Sequence, residues 1–287
     1  MKTRIITSIV GLALLATVMV FYETIFFNLV FALVCVIAIH ELYVAFGFGK
    51  KHLHIFVAFA VMAVIVMLAD NDIVLPLLTP VGYIFIIYLA VCIVLGFDSL
   101  DFAKLGGMAF FSVIVVFCFY SLIYLKMLLP KAEFGYDATY FVFLILAYAW
   151  GGDTFAYFTG RAFGKHKLAP VVSPKKTVEG AIGGVLGSML LGVLITVAYI
   201  QIAGRFFGSE KVRFSYYIII AVFGIVASAL GVVGDLFASA VKRQCGIKDY
   251  GTIFPGHGGI LDRFDSVLFI APLVSIVVTV FFYNFRA

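Results

Sequence analysis

The sequence predicts an all-α fold: a polytopic integral membrane protein with about nine transmembrane helices. Of its 287 residues, 64% are hydrophobic and 12% are charged, whereas soluble domains average about 45–50% apolar and about 25% charged residues. At about 20 residues for each membrane-spanning helix, this supply of apolar residues suffices for around nine spans. The apolar runs lack the alternation of barrel strands, and a helix satisfies its own backbone hydrogen bonds in lipid. The composition therefore excludes a water-soluble enzyme, a disordered chain and a disulfide scaffold.

Nine apolar runs follow one another along the chain, and each predicts one span. The first run comes after Lys2 and Arg4 in the manner of a signal peptide, but it is about 18 residues long and no A-x-A cleavage site follows it. We therefore interpret it as the first span. The nine runs cover residues 5–22, 25–46, 55–69, 73–95, 107–129, 138–158, 181–203, 214–234 and 262–283.

Basic residues are distributed unevenly between the two sides of these predicted spans. If nine spans alternate in direction, 14 of the 20 Lys and Arg residues lie on the side of the N-terminus, and cytoplasmic loops carry such an excess. We therefore expect a multi-pass protein of the cell (inner) membrane, with the N-terminus and the long loops 159–180 and 235–261 in the cytoplasm and the C-terminus on the opposite side. The formal net charge of +5 has the same origin, so no nucleic-acid partner is expected.

Polar residues are concentrated in the second half of the chain. Residues 1–140 consist almost entirely of hydrophobic span, which predicts a transmembrane scaffold, whereas polar side chains crowd together from Trp150 onward. We therefore expect residues 141–287 to form a transmembrane catalytic region. The four cysteines are scattered over three apolar runs and one polar loop, which argues against a disulfide framework and against a zinc site.

The segment after the eighth span carries the densest group of polar residues. If that helix continues into the cytoplasm, Asp235, Ser239 and Lys242 lie on one face of it. Asp262 and Asp265 open the ninth span, and carboxylates at membrane depth are costly unless they are paired or liganded. Because Mg²⁺ takes one or two carboxylates plus phosphate oxygens and water, these residues favour a divalent-metal and phosphate site over a merely solvated loop. A turn between them would offer backbone N–H groups to an anion, and its glycines are Gly256, Gly258 and Gly259.

A second polar group lies around the loop after the sixth span. Asp153 is near the cytoplasmic end of that span, and Ser173 before Pro174 is typical of a helix start with proline at its first position. Lys175 and Lys176 would meet a triphosphate, with contact to lipid headgroups as the alternative.

His40 and Glu41 form an ionisable pair inside the second span. Such residues are candidates for function, although a single histidine in a span is more often a packing residue, so their role stays open. The seventh span carries small residues at helical spacing, which predicts close helix packing and no chemistry. These residues are Gly180, Gly183, Gly184, Gly187, Ser188 and Gly192.

Residues 239–265 are similar, position by position, to the signature of the phosphatidate cytidylyltransferases (CDP-diacylglycerol synthases). Residues 152–157, 160–161 and 173–180 also resemble bacterial members of that family, although Val178 stands where an aromatic residue is common. The matching signature positions are Ser239, Lys242, Arg243, Lys248, Asp249, Gly251, Pro255, His257, Gly258, Gly259, Asp262, Arg263 and Asp265.

The resemblance implies a Mg²⁺-dependent homodimeric enzyme, with a second metal ion left open, that converts CTP and phosphatidic acid into CDP-diacylglycerol and pyrophosphate among membrane lipids. It implies that Asp235 and Asp262 are the metal ligands, with Asp265 or Asp153 assisting. Catalytic roles are expected for Asp235, Lys242, Arg243, Lys248, Asp249, His257, Asp262, Arg263 and Asp265. Substrate binding is expected for Asp153, Arg161, Ser173, Lys175, Lys176, Thr177, Glu179, Ser239, Gly256, Gly258 and Gly259.

Three other functions compete with this expectation. A CTP-dependent transferase that acts on a polyprenol or an ether lipid would share the nucleotide loops. A transporter would distribute polar residues through the membrane midplane and over both halves of the chain, whereas here they gather at one face of the second half. An inactive relative is disfavoured because every charged motif position is filled. The acyl-chain preference and the choice between CTP and dCTP stay open.

Overall fold

The computed structural model describes residues 2–204, 206, 213–254, 256 and 258–286, and within these the side chains of 2–9 and 282–286 are excepted. Its α-helices are α1 (Lys2–Val20), α2 (Ile25–Ala45), α3 (Leu53–Met67), α4 (Leu78–Leu95), α5 (Phe102–Leu128), α6 (Lys131–Phe134), α7 (Asp137–Leu146), α8 (Gly152–Phe163), α9 (Val178–Ala203), α10 (Phe214–Gln244), α11 (Leu261–Phe264) and α12 (Val267–Arg286). Short 3₁₀ turns precede α3 and α4, at Lys50–His52 and Leu75–Leu77.

Each of the nine predicted spans coincides with helical structure in the described part of the chain. Among the described residues, seven helical segments are long and apolar enough to cross a membrane, and two further apolar helices, Val10–Val20 and Val267–Phe281, are shorter. The prediction of an all-α polytopic membrane protein is thereby confirmed. The eighth span also continues as predicted, because α10 runs without interruption past the end of its apolar stretch to Gln244.

The sixth span is composite. A π-helical turn, Ala147–Gly151, joins α7 to α8 without interrupting the helix. Such turns insert one residue into the hydrogen-bond ladder and often occur at functional sites. Here the turn ends one residue before Gly152, which is followed by Asp153, the first polar residue of the predicted site.

The loop after α8 differs from the sequence prediction. Ser173 and Pro174 do not start a helix: Ser173–Thr177 is a strand, β2, that pairs antiparallel with β1 (Lys167–Ala169). The helix begins at Val178 instead, because the Thr177 hydroxyl accepts a hydrogen bond from the Gly180 N–H at 3.1 Å, which is the preferred N-cap interaction. Proline is tolerated in this two-stranded hairpin since both strands are edges.

The ninth span also differs from the prediction of one helix opened by two aspartates. Helix α11 ends at Phe264, and α12 starts only at Val267. The Asp265 carboxylate accepts a hydrogen bond from the Ser266 N–H at 2.9 Å, and such local side-chain bonds compete with the helical ladder. Asp262 therefore lies in α11, whereas Asp265 lies in the turn between α11 and α12.

The chain divides into two compact units. The first combines residues 1–123 with 244–263, and the second combines 124–243 with 264–287. The signature loop 245–263 thus groups with the N-terminal helices, whereas the sequence division between scaffold and catalytic region fell at residue 140. That functional division stays a prediction.

In the second unit, glycines bring α8 and α9 into close contact, as the small-residue spacing predicts. A Cβ added at Gly184 would lie 2.9 Å from the Gly152 carbonyl oxygen and 3.0 Å from the Ala156 Cβ. A Cβ added at Gly152 would lie 2.7 Å from the Ser188 hydroxyl oxygen. The two backbones touch at this crossing, and any larger side chain would separate them.

In the first unit, α2 packs against α3 through a buried apolar face that includes a polar contact. Phe27, Cys35 and Ile39 of α2 are fully buried. Asn28, also fully buried, donates a hydrogen bond from Nδ2 to the Met67 carbonyl oxygen at 2.8 Å. This bond satisfies a polar group that would otherwise be costly inside the membrane.

We predict that Gly184→Val destabilises the protein by about 1–3 kcal/mol, because the new side chain overpacks the α8–α9 contact. Thermal unfolding in detergent should show a lower melting temperature. Gly106→Val is the matched control, since it makes the same helix substitution at an exposed glycine with no neighbour within 4 Å of an added Cβ. Equal melting temperatures of the two variants would contradict the close packing.

Candidate functional site

A cavity of about 400 Å³ lies within the second unit. It is bounded by α8, the β-hairpin, α9 and α10, and the turn before α12 contributes as well. Six residues that the sequence predicted for the site line it, and they are Asp153, Arg161, Lys175, Lys176, Thr177 and Asp235. The fold therefore brings both predicted polar groups of this unit together around one space.

Asp235 is held between a cation and a hydroxyl. Lys176 of the hairpin forms an ion pair with one carboxylate oxygen of Asp235. The Ser239 hydroxyl donates to the other oxygen at 3.3 Å from one turn later in α10. The predicted shared face of α10 is thus confirmed for Asp235 and Ser239. The ion pair also ties a residue expected to bind phosphate to a residue expected to bind metal.

Two further carboxylates lie near Asp235. The Asp265 carboxyl loses hydration and is acted on by the negative charges of Asp235 and Asp153 and by the positive charge of Lys242. The Ser266 hydroxyl donates to Asp153 at 3.1 Å. The carboxyl groups of Asp153, Asp235 and Asp265 therefore interact with one another at this end of the cavity, where a bound cation would stabilise their ionised forms.

The β-hairpin is fastened by Glu179 in the first turn of α9. Its carboxylate accepts hydrogen bonds from the Lys165 N–H at 3.1 Å and the His166 N–H at 3.2 Å. It also contacts the His166 ring nitrogen at 2.6 Å. Glu179 was expected to bind substrate, whereas the structure shows it binding the backbone at the start of the hairpin. Arg243 reaches the same hairpin, because its Nε donates to the Val172 carbonyl oxygen at 3.4 Å.

The signature loop lies in the first unit and is organised around Asp262. Oδ2 of this buried carboxylate accepts hydrogen bonds from the Tyr250 N–H at 2.8 Å and the Gly259 N–H at 3.0 Å. The Gly259 N–H, expected to face an anion, is thus used within the loop. Gly258 has φ +85°, and a Cβ there would meet the Asp262 carboxylate, so both conformation and space require glycine.

Other residues of the signature loop are exposed or lie outside the described residues. Lys248, Asp249 and Arg263 are exposed, and so is Gly256, which has φ +77°. Pro255 and His257 lie outside the described residues, so the expected role of His257 stays a prediction.

The side chains of His40 and Glu41, whose role the sequence left open, lie in different surroundings. His40 is exposed, and its ring lies 5.3 Å from that of Phe56. Glu41 is buried and accepts hydrogen bonds from the Ile260 and Leu261 N–H groups. Glu41 thus belongs to the surroundings of the signature loop.

Sequence reasoning missed four polar residues on the cavity wall: Tyr148, Tyr157, Ser228 and Ser266. Ser228 lies seven residues before Asp235 on α10, a spacing that places two residues on one helix face, so this residue could have been found. Tyr148 and Ser266 carried no such signal, because a π turn and a helix break decide their positions.

Comparison with known proteins identifies the family. Residues 2–281 match the model of the Cytidylyltransferase family, which is nearly the whole chain. The chain belongs to the cytidylyltransferase family. The signature resemblance is thereby confirmed.

Curated relatives of this cytidylyltransferase carry a common name. The chain is 38% identical to a phosphatidate cytidylyltransferase of Staphylococcus saprophyticus over 64% of its own length and 67% of the relative's. It is 40% identical to one of Staphylococcus haemolyticus over 49% and 50%, and 34% identical to one of Bacillus subtilis over 64% and 62%. The chain thus spans about half to two thirds of the curated relatives it matches.

For this cytidylyltransferase, we predict that Glu179→Gln loosens the β-hairpin, because an amide nitrogen cannot accept the backbone N–H groups that the carboxylate binds. Limited trypsin digestion should cleave faster within residues 161–176. Asp72→Asn, the same carboxylate-to-amide change at an exposed residue, should leave the rate unchanged. An unaltered hairpin cleavage rate in Glu179→Gln would show that the carboxylate does not hold the hairpin.

Proposed function

We propose that this nucleotidyltransferase transfers the cytidylyl group of CTP to phosphatidate, giving CDP-diacylglycerol and pyrophosphate. The observation that carries the proposal is the cavity in which Arg161, Lys175 and Lys176 face Asp153 and Asp235. Nucleotidyl transfer requires basic groups that bind the triphosphate and carboxylates that bind a divalent cation. The names of the relatives and the signature residues support phosphatidate as the acceptor.

The chemistry explains why no catalytic base is needed. A phosphate monoester has a second pKa of about 6, so the phosphatidate headgroup is largely a dianion at neutral pH. One of its oxygens attacks the α-phosphorus of CTP, and the bond from that phosphorus to the bridging oxygen of pyrophosphate breaks. The main obstacle is repulsion between two anions, which positioned cations reduce.

The basic side chains of the cavity supply those cations. Arg161 and Lys175 are exposed along its wall, which suits contact with an entering triphosphate. Lys176 is the ion-pair partner of Asp235, so it neutralises this carboxylate until a stronger cation or a phosphate competes for either group. Lys242, Arg243, Lys248 and Arg263 are proposed to share the remaining phosphate contacts.

The carboxylates of the second unit fit a magnesium ion by their chemistry. Asp235, Asp265 and Asp153 offer hard oxygen ligands, and their mutual repulsion favours a cation. Across the residues that the structure describes, no three His, Cys, Asp or Glu side chains form a ready metal site, so phosphate oxygens and water would complete the coordination. Bound Mg²⁺ would neutralise charge on the triphosphate. The pairing of Asp235 with Asp262 stays a prediction, because these residues belong to different compact units.

Orientation and assembly are part of the proposal. The excess of basic residues on the side of the N-terminus supports a cytoplasmic active site, and the C-terminus then lies on the opposite side. The family resemblance supports a homodimer. CTP is a cytoplasmic metabolite and phosphatidate is a membrane lipid, so a site at the cytoplasmic face gives access to both.

We predict that purified protein with Mg²⁺ and labelled CTP converts phosphatidate into CDP-diacylglycerol. The lipid product should be identified by mass spectrometry, with polyprenyl phosphate as the competing acceptor in a parallel reaction. Product from the polyprenyl phosphate alone would replace phosphatidate as the acceptor. No nucleotidylated product from either lipid would refute the proposed transfer.

We predict that Asp235→Asn and Asp262→Asn each lower kcat by about 10²–10³, because each removes several kcal/mol of interaction with a cation. The amide oxygen introduced by Asp262→Asn still accepts the hydrogen bonds that hold the loop, so this variant tests the charge, whereas Asp262→Ala also removes the acceptor. Asp98→Asn, at an exposed residue, is the control for an amide substitution. Membrane insertion should be normal in all of them. Wild-type activity in Asp262→Asn would exclude this residue as a metal ligand.

A further inference from the structure

Glu41 is a buried carboxylate in the first compact unit of this membrane protein. It lies near the end of the apolar helix α2, and its exposed fraction is 4%. A carboxylate in such surroundings is destabilising unless hydrogen bonds or a positive charge satisfy it. Its partners therefore indicate what it does.

The partners of Glu41 are two consecutive backbone groups of the signature loop. Oε1 accepts a hydrogen bond from the Ile260 N–H at 2.8 Å, and Oε2 accepts one from the Leu261 N–H at 2.9 Å. Each carboxylate oxygen thus binds one main-chain donor about 220 positions away in the sequence. Both carboxylate oxygens of Glu41 are thus directed at the loop backbone.

The loop is shaped to receive this carboxylate. A Cβ added at Gly251 would lie 2.5 Å from Oε1, and one added at Gly259 would also collide with the carboxylate. Glycine at these two signature positions is therefore explained by the approach of Glu41.

Glu41 and Asp262 together hold three successive N–H groups. Asp262 accepts from Gly259, and Glu41 accepts from Ile260 and Leu261. The next two residues in the chain are Asp262 and Arg263, which the proposed function assigns to metal and phosphate. Any movement of the 259–261 backbone would displace both side chains.

We propose that Glu41 is a positioning residue for the reaction: it anchors the backbone at Ile260 and Leu261 and thereby sets the placement of Asp262 and Arg263. The inference rests on the proposed function for its catalytic consequence, although the anchoring itself does not. An amide at position 41 would accept one N–H and present its own N–H groups to the other, because an amide nitrogen is a donor only.

The experiment compares Glu41→Gln with Asn28→Leu. Asn28 is the matched control because it is a buried polar residue of the same helix, and the Met67 carbonyl oxygen to which it donates lies outside the signature loop. Two measurements are made on detergent-purified protein. Hydrogen–deuterium exchange reports on the 259–261 amides, and steady-state kinetics report kcat, the KM for CTP and the Mg²⁺ concentration for half-maximal rate.

We expect faster exchange at residues 259–261 in Glu41→Gln but not in Asn28→Leu. We also expect kcat to fall about 10- to 100-fold in Glu41→Gln, the usual effect of removing a group that orients a metal ligand, and the Mg²⁺ requirement to rise. Asn28→Leu should lower the melting temperature while leaving kcat and the Mg²⁺ requirement near wild type.

Three results would overturn the inference: unchanged exchange in Glu41→Gln, unchanged kcat and Mg²⁺ requirement despite faster exchange, or the same changes in both variants. A wild-type protein that forms no CDP-diacylglycerol would instead refute the proposed function. In that case, faster exchange confined to Glu41→Gln would still support the anchor and refute only its assigned consequence.

Discussion

The need to satisfy carboxylates in poorly hydrated surroundings is the constraint on which this structure depends. Inside a membrane protein, an unpaired carboxylate is far more destabilising than one in water. Glu41 and Asp262 meet this constraint with backbone N–H groups, whereas Asp235 meets it with a lysine. The backbone-bound pair fixes a loop in place, and the lysine-bound carboxylate can exchange its cation. Glu41 and Asp262 therefore hold the loop through their hydrogen bonds, and Asp262 is in addition the proposed metal ligand of that loop.

In the second unit, close packing of helices positions the charged side chains. The glycines between α8 and α9 let these helices touch, and the contact sets Asp153 and Arg161 of α8 on the wall of the cavity beside the hairpin lysines. The π turn comes just before Asp153, and the helix break after Phe264 contains Asp265 and Ser266, so both irregularities lie beside the carboxylates of the cavity. The carboxyl groups of Asp153, Asp235 and Asp265 interact with one another there, which is an environment suited to a cation and to phosphate oxygens.

The fold was predictable to a large extent, and the site was predictable in part. Within the described residues the apolar runs became helices because hydrophobic length decides a span independently of its neighbours. Asp235 and Ser239 share a face because a continuing helix repeats every 3.6 residues. Ser173 and Pro174 were misassigned to a helix start, because proline is also compatible with an edge strand. The N-cap hydrogen bond of Thr177 places the start of α9 at Val178 instead. Asp265 was assigned to a helix that its own side-chain bond interrupts.

The amino-acid sequence by itself determined the membrane-spanning class, the family and the residue types for nucleotidyl transfer, because hydropathy and a dense local signature are properties of short segments. Only the tertiary structure decided which partner each charged group has. Glu41 accepts hydrogen bonds from the Ile260 and Leu261 N–H groups, and Glu179 accepts them from the backbone at the start of the hairpin. Lys176 forms an ion pair with Asp235. Hydrogen bonds between residues distant in the chain depend on how the helices pack, and no local pattern encodes that arrangement.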